Sequence, residues 1–154
     1  MYFVDKIKKF KEDLIIFVDM DGVIAEYNLD KDKYNYRYKR PLISNIKVLE
    51  ELSKLENVEL HILSICKVNT DIKDKNDWLD ECASFFKYEN RVVISKEKYP
   101  NIASKDLKLN YLQEFVKTTD KKVILIDDDN MIIKYIIANL RDKVLLFQDS
   151  SLID

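Results

Sequence analysis

The stretch Leu14-Ile15-Ile16-Phe17-Val18-Asp19-Met20-Asp21-Gly22-Val23 decides how this chain is read. Its first five residues, Leu14 to Val18, are all apolar and predict a buried strand. Two carboxylates two residues apart follow, then the only glycine in 154 residues. A chain so poor in glycine keeps one where a side chain is not tolerated. Gly22 therefore predicts a positive φ or a close approach of another group. A second run, Leu125-Ile126-Asp127-Asp128-Asp129-Asn130, also passes from apolar to acidic. Three successive acids repel one another unless a cation neutralises them.

Working outward, short apolar runs alternate with helical patterns. Strands are predicted at Leu14–Val18, Val58–Ser64, Arg91–Ser95, Lys122–Ile126 and Val144–Phe147. Helices are predicted at residues 3–12, then at Ile43–Leu55, Asp71–Phe86, Ser104–Lys117 and Met131–Leu140, with Ser104 as an N-cap. This alternation predicts an α/β fold of three layers, Rossmann-like, with a mainly parallel sheet of about five strands and helices on both faces. The length predicts one domain over residues 1–154. Residues 26–41, rich in Tyr, Lys, Arg, Asp and Asn, read as an excursion or flap. Folds of this class place their sites at the carboxyl ends of strands, where the acids lie.

Composition narrows the chemistry. Net charge is −2 with 35% charged residues, which disfavours a nucleic-acid binder driven by overall basicity. Apolar runs stay far below membrane-spanning length, so no membrane partner is expected and a cytoplasmic location is favoured. One glycine cannot build a Walker loop or a dinucleotide fingerprint. One histidine, His61, excludes multi-histidine metal sites and reads as a packed strand residue. The two cysteines, Cys66 and Cys82, lack the arginine six residues on that cysteine phosphatases need; Ile72 and Tyr88 stand there. They read as reduced thiols.

The acids at two strand ends suit Mg²⁺, which prefers a few carboxylates together with phosphate oxygens. Asp19, directly ending the strand, is the candidate nucleophile, since a carboxylate can attack a phosphoryl group. Asp21 is the candidate acid and base. The expected metal ligands are Asp19, the backbone carbonyl of Asp21, Asp128, and Asp127 directly or through water. Ser64 and one lysine would hold the phosphoryl oxygens.

Phe17-Val18-Asp19-Met20-Asp21-Gly22-Val23 resembles the first motif of the haloacid dehalogenase-like (HAD) phosphohydrolases. Ser64 after an apolar strand resembles the second, and Ile126-Asp127-Asp128 the fourth. The resemblance spans residues 14 to about 147. A looser likeness to the 5′(3′)-deoxyribonucleotidase branch rests on Asp19-Met20-Asp21-Gly22-Val23-Ile24-Ala25, Pro41, Trp78 and Ile126-Asp127-Asp128. The flap stands where that branch inserts a helical cap. The resemblance implies a Mg²⁺-dependent phosphatase acting through an aspartyl-phosphate, with a small phosphorylated substrate, a nucleotide or a nucleic-acid end among the candidates.

The third motif would be a lysine on a helix before the fourth strand. Lys105 is the first choice, because it lies in the first turn of its helix with Leu109 and Leu112 four and seven residues later. Lys108, with Leu112 and Phe115, is the alternate; Lys96 and Lys98 after the third strand also stay open. In the flap, Tyr34, Tyr36 and Tyr38 alternate among basic residues, which predicts a hairpin arm able to attract phosphate and stack a base. Two rival functions are a HAD-like binding protein without activity and a phosphoreceiver domain. Chain order disfavours the receiver, whose phosphorylated Asp ends the third strand and whose lysine follows the fifth.

Overall fold

A computed structural model describes residues 1–27 and 36–153. Five strands form one parallel sheet: β1 (Leu14–Val18), β2 (Val58–Cys66), β3 (Arg91–Ser95), β4 (Lys122–Asp127) and β5 (Val144–Gln148), in the order β3-β2-β1-β4-β5. The order reverses at β1. Chain that leaves β1 crosses to β2 on one side, and β4 returns to its other side. Ligands in open α/β sheets bind at such a reversal.

Helices α1 (Tyr2–Lys8), α2 (Ile43–Ser53), α3 (Thr70–Cys82), α4 (Ser104–Phe115) and α5 (Asn130–Leu140) cover both faces. The alternation of β1 divides the core. Leu14, Ile16 and Val18 pack with Phe3, Ile7, Leu49, Leu52 and Trp78 on one side. Ile15 and Phe17 pack with Leu109, Leu112 and Ile136 on the other. All five β1 residues are buried, as a central parallel strand requires. Phe17 meets the edges of His61, Tyr111 and Phe115 at ring centroids 5.0, 5.8 and 5.0 Å apart. Full burial of such a side chain contributes about 1.5–3 kcal/mol. His61 is a core residue, as the sequence predicts, with Nε2 2.7 Å from Glu59 Oε1.

Several boundaries differ from the predicted ones. Strand β2 continues past Ser64, because Ile65 and Cys66 pair with Ile94 and Ser95. Helix α3 stops at Cys82, where Ala83 leaves helical geometry at φ −151° and the chain carries Phe86 back into the core. The cap of α4 is Ala103 in extended backbone, so Ser104 is the first helical residue and its hydroxyl caps nothing. Of the predicted hairpin arm, Tyr36–Tyr38 forms a 3₁₀ turn with Tyr36 buried and Tyr38 exposed. Tyr34 lies outside the described residues.

Candidate active site

Register brings the acids together. Val18 pairs with Ile126, so the next residues, Asp19 and Asp127, leave adjacent strands side by side. The Asp19 amide donates to the Ile126 carbonyl at 3.0 Å and keeps the pairing going. Beyond Asp19 the chain wraps around one carbonyl: the amides of Val23, Ile24 and Ala25 all donate to Met20 O at 3.0–3.1 Å. Asn45 of α2 anchors this loop through Nδ2 to Val23 O at 2.8 Å.

Gly22 meets both predicted conditions. Its φ is +82°, a backbone that side chains rarely adopt, and an added Cβ would lie 2.0 Å from Asp128 Oδ2. The single glycine lets the first acidic loop touch the second.

Oxygens of Asp19, Asp127 and Asp128 lie within 4.8 Å of one another. Asp127 is fully buried and already engaged: Oδ2 accepts from Lys108 Nζ at 2.6 Å, and Oδ1 accepts from the Asp129 amide at 2.9 Å. Asp19 and Asp128 therefore offer the freer oxygens. Lys108 Nζ also lies 3.2 Å from Asp19 Oδ1. Burial works against the Lys108 charge, but Asp19 and Asp127 outweigh it and hold the ammonium protonated. Burial pushes the Asp19 carboxyl up to about 7, against the pull of Lys108 and with the repulsion of Asp127. Burial and Asp127 push Asp128 up to about 6. Asp129 turns away and caps α5, accepting from the amides of Met131 and Ile132 at 2.9 and 3.4 Å.

Asp21 sits in a second charged cluster. Lys39 Nζ is 2.6 Å from its Oδ1 and Lys75 Nζ is 3.2 Å from its Oδ2. Burial opposes its ionisation, yet Lys75 and Lys39 together hold the carboxyl below its usual range. Both ammonium groups lie over the Tyr36 ring, at 4.7 and 4.9 Å from its centroid. The Tyr36 phenol is raised well above its usual range by burial and by Asp21. Among the described residues, its hydroxyl finds no partner in good hydrogen-bond geometry.

The structure corrects the choice of lysine at the acids. Lys105 is exposed, with Nζ 4.5 Å from the centroid of the Tyr135 ring, while Lys108 is buried against Asp19 and Asp127. A helical side chain points back toward the N-terminus and covers the turn before its own Cα. A lysine one turn into α4 therefore reaches the sheet edge, and one in the first turn overshoots it. Lys96 and Lys98 follow β3, which is separated from β1 by β2. Ser64 is buried and bonded to Lys75 Nζ at 2.6 Å. Sequence reasoning missed Lys75 and Lys39. The signal for Lys75 is its place in α3 three residues before the buried Trp78 and four before the buried Leu79, a core face on which a lysine needs a partner. A cleft of about 150 Å³ opens onto Asp19, Asp21, Asp128 and Lys108, with Tyr27 and Ile132 on its walls. A larger apolar cleft of about 620 Å³, lined by Val92, Ile94, Tyr111 and Phe115, runs along β3 and α4 and lacks the acid cluster.

The fold and this arrangement define an α/β protein whose five-stranded parallel sheet gathers a carboxylate and lysine cluster at the ends of its two central strands. The chain is similar in fold to one in the structure of a Pnkp1/Rnl/Hen1 complex, with a TM-score of 0.65 and 17% identity. That match takes in 90% of this chain and 46% of the other, so this chain spans about half the length of that relative. The HAD domain of the effector protein Lem4 from Legionella pneumophila matches with a TM-score of 0.49 and 13% identity, over 88% of this chain and 84% of that one. No family model matches the chain, and no curated protein does. Among the described residues, no helix is long and apolar enough to cross a membrane.

Proposed function

We propose that the chain is a Mg²⁺-dependent phosphatase that hydrolyses phosphomonoesters through an aspartyl-phosphate on Asp19. One observation carries the reading: Asp19, at the end of the central strand, faces Lys108, Asp127 and Asp128 across a loop closed by Gly22. The donor set fits a hard divalent cation, since three carboxylates converge and two of them keep oxygens to spare. Asp19, Asp128 and the Asp21 carbonyl would hold Mg²⁺, with Asp127 directly or through water. When bound, the ion supplies charge neutralisation between the carboxylates and the phosphoryl oxygens.

The protein's own groups carry the steps. The Asp19 carboxylate attacks phosphorus, and the ester oxygen leaves. Lys108 and the Ser64 hydroxyl stabilise the phosphoryl oxygens, whose negative charge is spread in the transition state. Asp21 first gives a proton to the leaving oxygen and then takes one from the water that hydrolyses the aspartyl-phosphate. With Lys39 and Lys75 beside it, Asp21 rests ionised and is poised for the second of these steps. A substrate arriving as the phosphate monoanion passes its proton to Asp21, which hands it to the leaving oxygen in the first step.

The substrate class we favour is a nucleotide or a nucleic-acid end. The support is the flap, with five basic residues from Lys31 to Arg40 and its aromatic residues, and Tyr27 on the cleft wall. The test is phosphate release from p-nitrophenyl phosphate, deoxynucleotides and 3′-phosphorylated oligonucleotides, with and without Mg²⁺. Asp19→Asn should abolish release while the circular dichroism spectrum stays native. Turnover that survives this substitution or chelation refutes the assignment.

A further inference from the structure

Lys75 is an unusual residue to bury. It lies 2% exposed in α3, far in sequence from both acidic loops. An ammonium has three protons to donate. Here each has an acceptor: Ser64 Oγ at 2.6 Å, the Ile65 carbonyl at 3.2 Å and Asp21 Oδ2 at 3.2 Å. The Tyr36 ring covers the same ammonium. Lys75 thus has no proton left for a phosphoryl oxygen, and it is closed off from solvent.

Its effect falls on Ser64. A serine hydroxyl has one proton to donate and two lone pairs to accept with. Lys75 takes up the accepting side. It also occupies the Ile65 carbonyl and the Asp21 carboxylate, two acceptors that would otherwise compete for the serine proton. We infer that Lys75 is a positioning residue that keeps the Ser64 proton directed at a phosphoryl oxygen of the substrate. The inference rests on the phosphatase reading of the same site. Without the ammonium, Ile65 O and Asp21 Oδ2 lose this donor, the Ser64 hydroxyl turns inward to them, and the phosphoryl group loses one hydrogen bond.

A double-mutant cycle tests this, because groups that act through one another are non-additive. Ser64→Ala, Lys75→Met and the double variant are compared for kcat/KM with Mg²⁺ on p-nitrophenyl phosphate and on ethyl phosphate. Each single change should cost tenfold or more, and the double variant should fall within twofold of Ser64→Ala. The loss in Lys75→Met should be the same for both substrates, since the serine does not touch the leaving group. Multiplicative losses overturn the inference, as does wild-type activity in Lys75→Met. A loss confined to ethyl phosphate also overturns it, because it would place the effect on Asp21 as the acid. If Lys75→Met fails to fold, Lys75→Gln takes its place in the cycle, with the same coupling expected. If the wild type hydrolyses neither ester, the phosphatase reading fails on its own. The cycle is then read in the affinity for inorganic phosphate with Mg²⁺ by calorimetry, where additive losses or no binding overturn the role of Lys75.

Discussion

Lys105 and Lys108 stand one helical turn apart in α4, and only the second touches the acids. We expect Lys108→Ala to lower kcat by 10²-fold or more, about 2.7 kcal/mol, comparable to the loss of one oxyanion donor. Lys105→Ala should stay within twofold of the wild type. Steady-state kinetics on p-nitrophenyl phosphate decides, and a severe loss in Lys105→Ala alone would reverse the assignment. The acids were legible because their type and position at strand ends leave few other readings. The lysines were less so. Choosing between Lys105 and Lys108 needs the direction of the Cα–Cβ bond, which spacing alone does not carry. Lys39 was invisible because a lysine in a charged sequence reads as solvated until a fold encloses it, and Lys75 showed only through its spacing to Trp78 and Leu79.

At the scale of elements, the flap is tied to α3. Trp78 Nε1 donates to the Lys39 carbonyl at 2.9 Å, and the Trp78 and Tyr36 rings meet edge to face at 6.1 Å. At its base, Ala25 bridges Pro41, and the Glu26 amide donates to Arg40 O at 2.9 Å. This end of the flap therefore carries Lys39 to Asp21. Trp78→Phe keeps an aromatic ring, smaller than the buried indole, and removes the donor. We expect a stability loss of about 1–3 kcal/mol from the carbonyl left unpaired. The melting temperature should fall, and KM should change more than kcat, because Lys39 is held through its backbone. An unchanged KM would mean that the tie serves only packing. Strand and helix cores were readable from periodicity. Their ends were not, because Ile65-Cys66 answer to β3, a partner distant in sequence, and Ala83 to the burial of Phe86 in the core. The period-two tyrosines misled for a similar reason: Tyr36 is pulled inward by Trp78 and two lysines, which outweighs its alternation.

For the molecule as a whole, the buried acids couple folding to pH. Asp19 and Asp128 titrate near 7 and 6 in the folded chain, above their ordinary value of 3.8. The native state therefore holds protons that the unfolded chain has released, and stability falls as pH rises from about 5 to 7. The carboxyls held low, such as Asp21, change stability only below that window. Without metal, the melting temperature should drop between pH 5 and pH 7, and Asp19→Asn should flatten the drop. Mg²⁺ competes for the ionised oxygens, so the rise it gives in melting temperature should be larger at pH 7.5 than at pH 5. A metal-free melting temperature that climbs over this range would contradict the burial of these acids.

The central place of β1 also sets a timetable for synthesis. Asp19 leaves the ribosome before either of its neighbours in the sheet, β2 and β4, and β4 is made only after β2, α3, β3 and α4. A nascent chain that stops short of Lys122 has one whole flank of β1 unpaired, and neither Asp127 nor Asp128 exists to meet Gly22. The unfinished chain thus carries Asp19 without the acids it faces in the folded protein, and an apolar strand in need of shelter. Truncations that remove β4 should be recovered from cells as chaperone-bound or aggregated material rather than as folded protein.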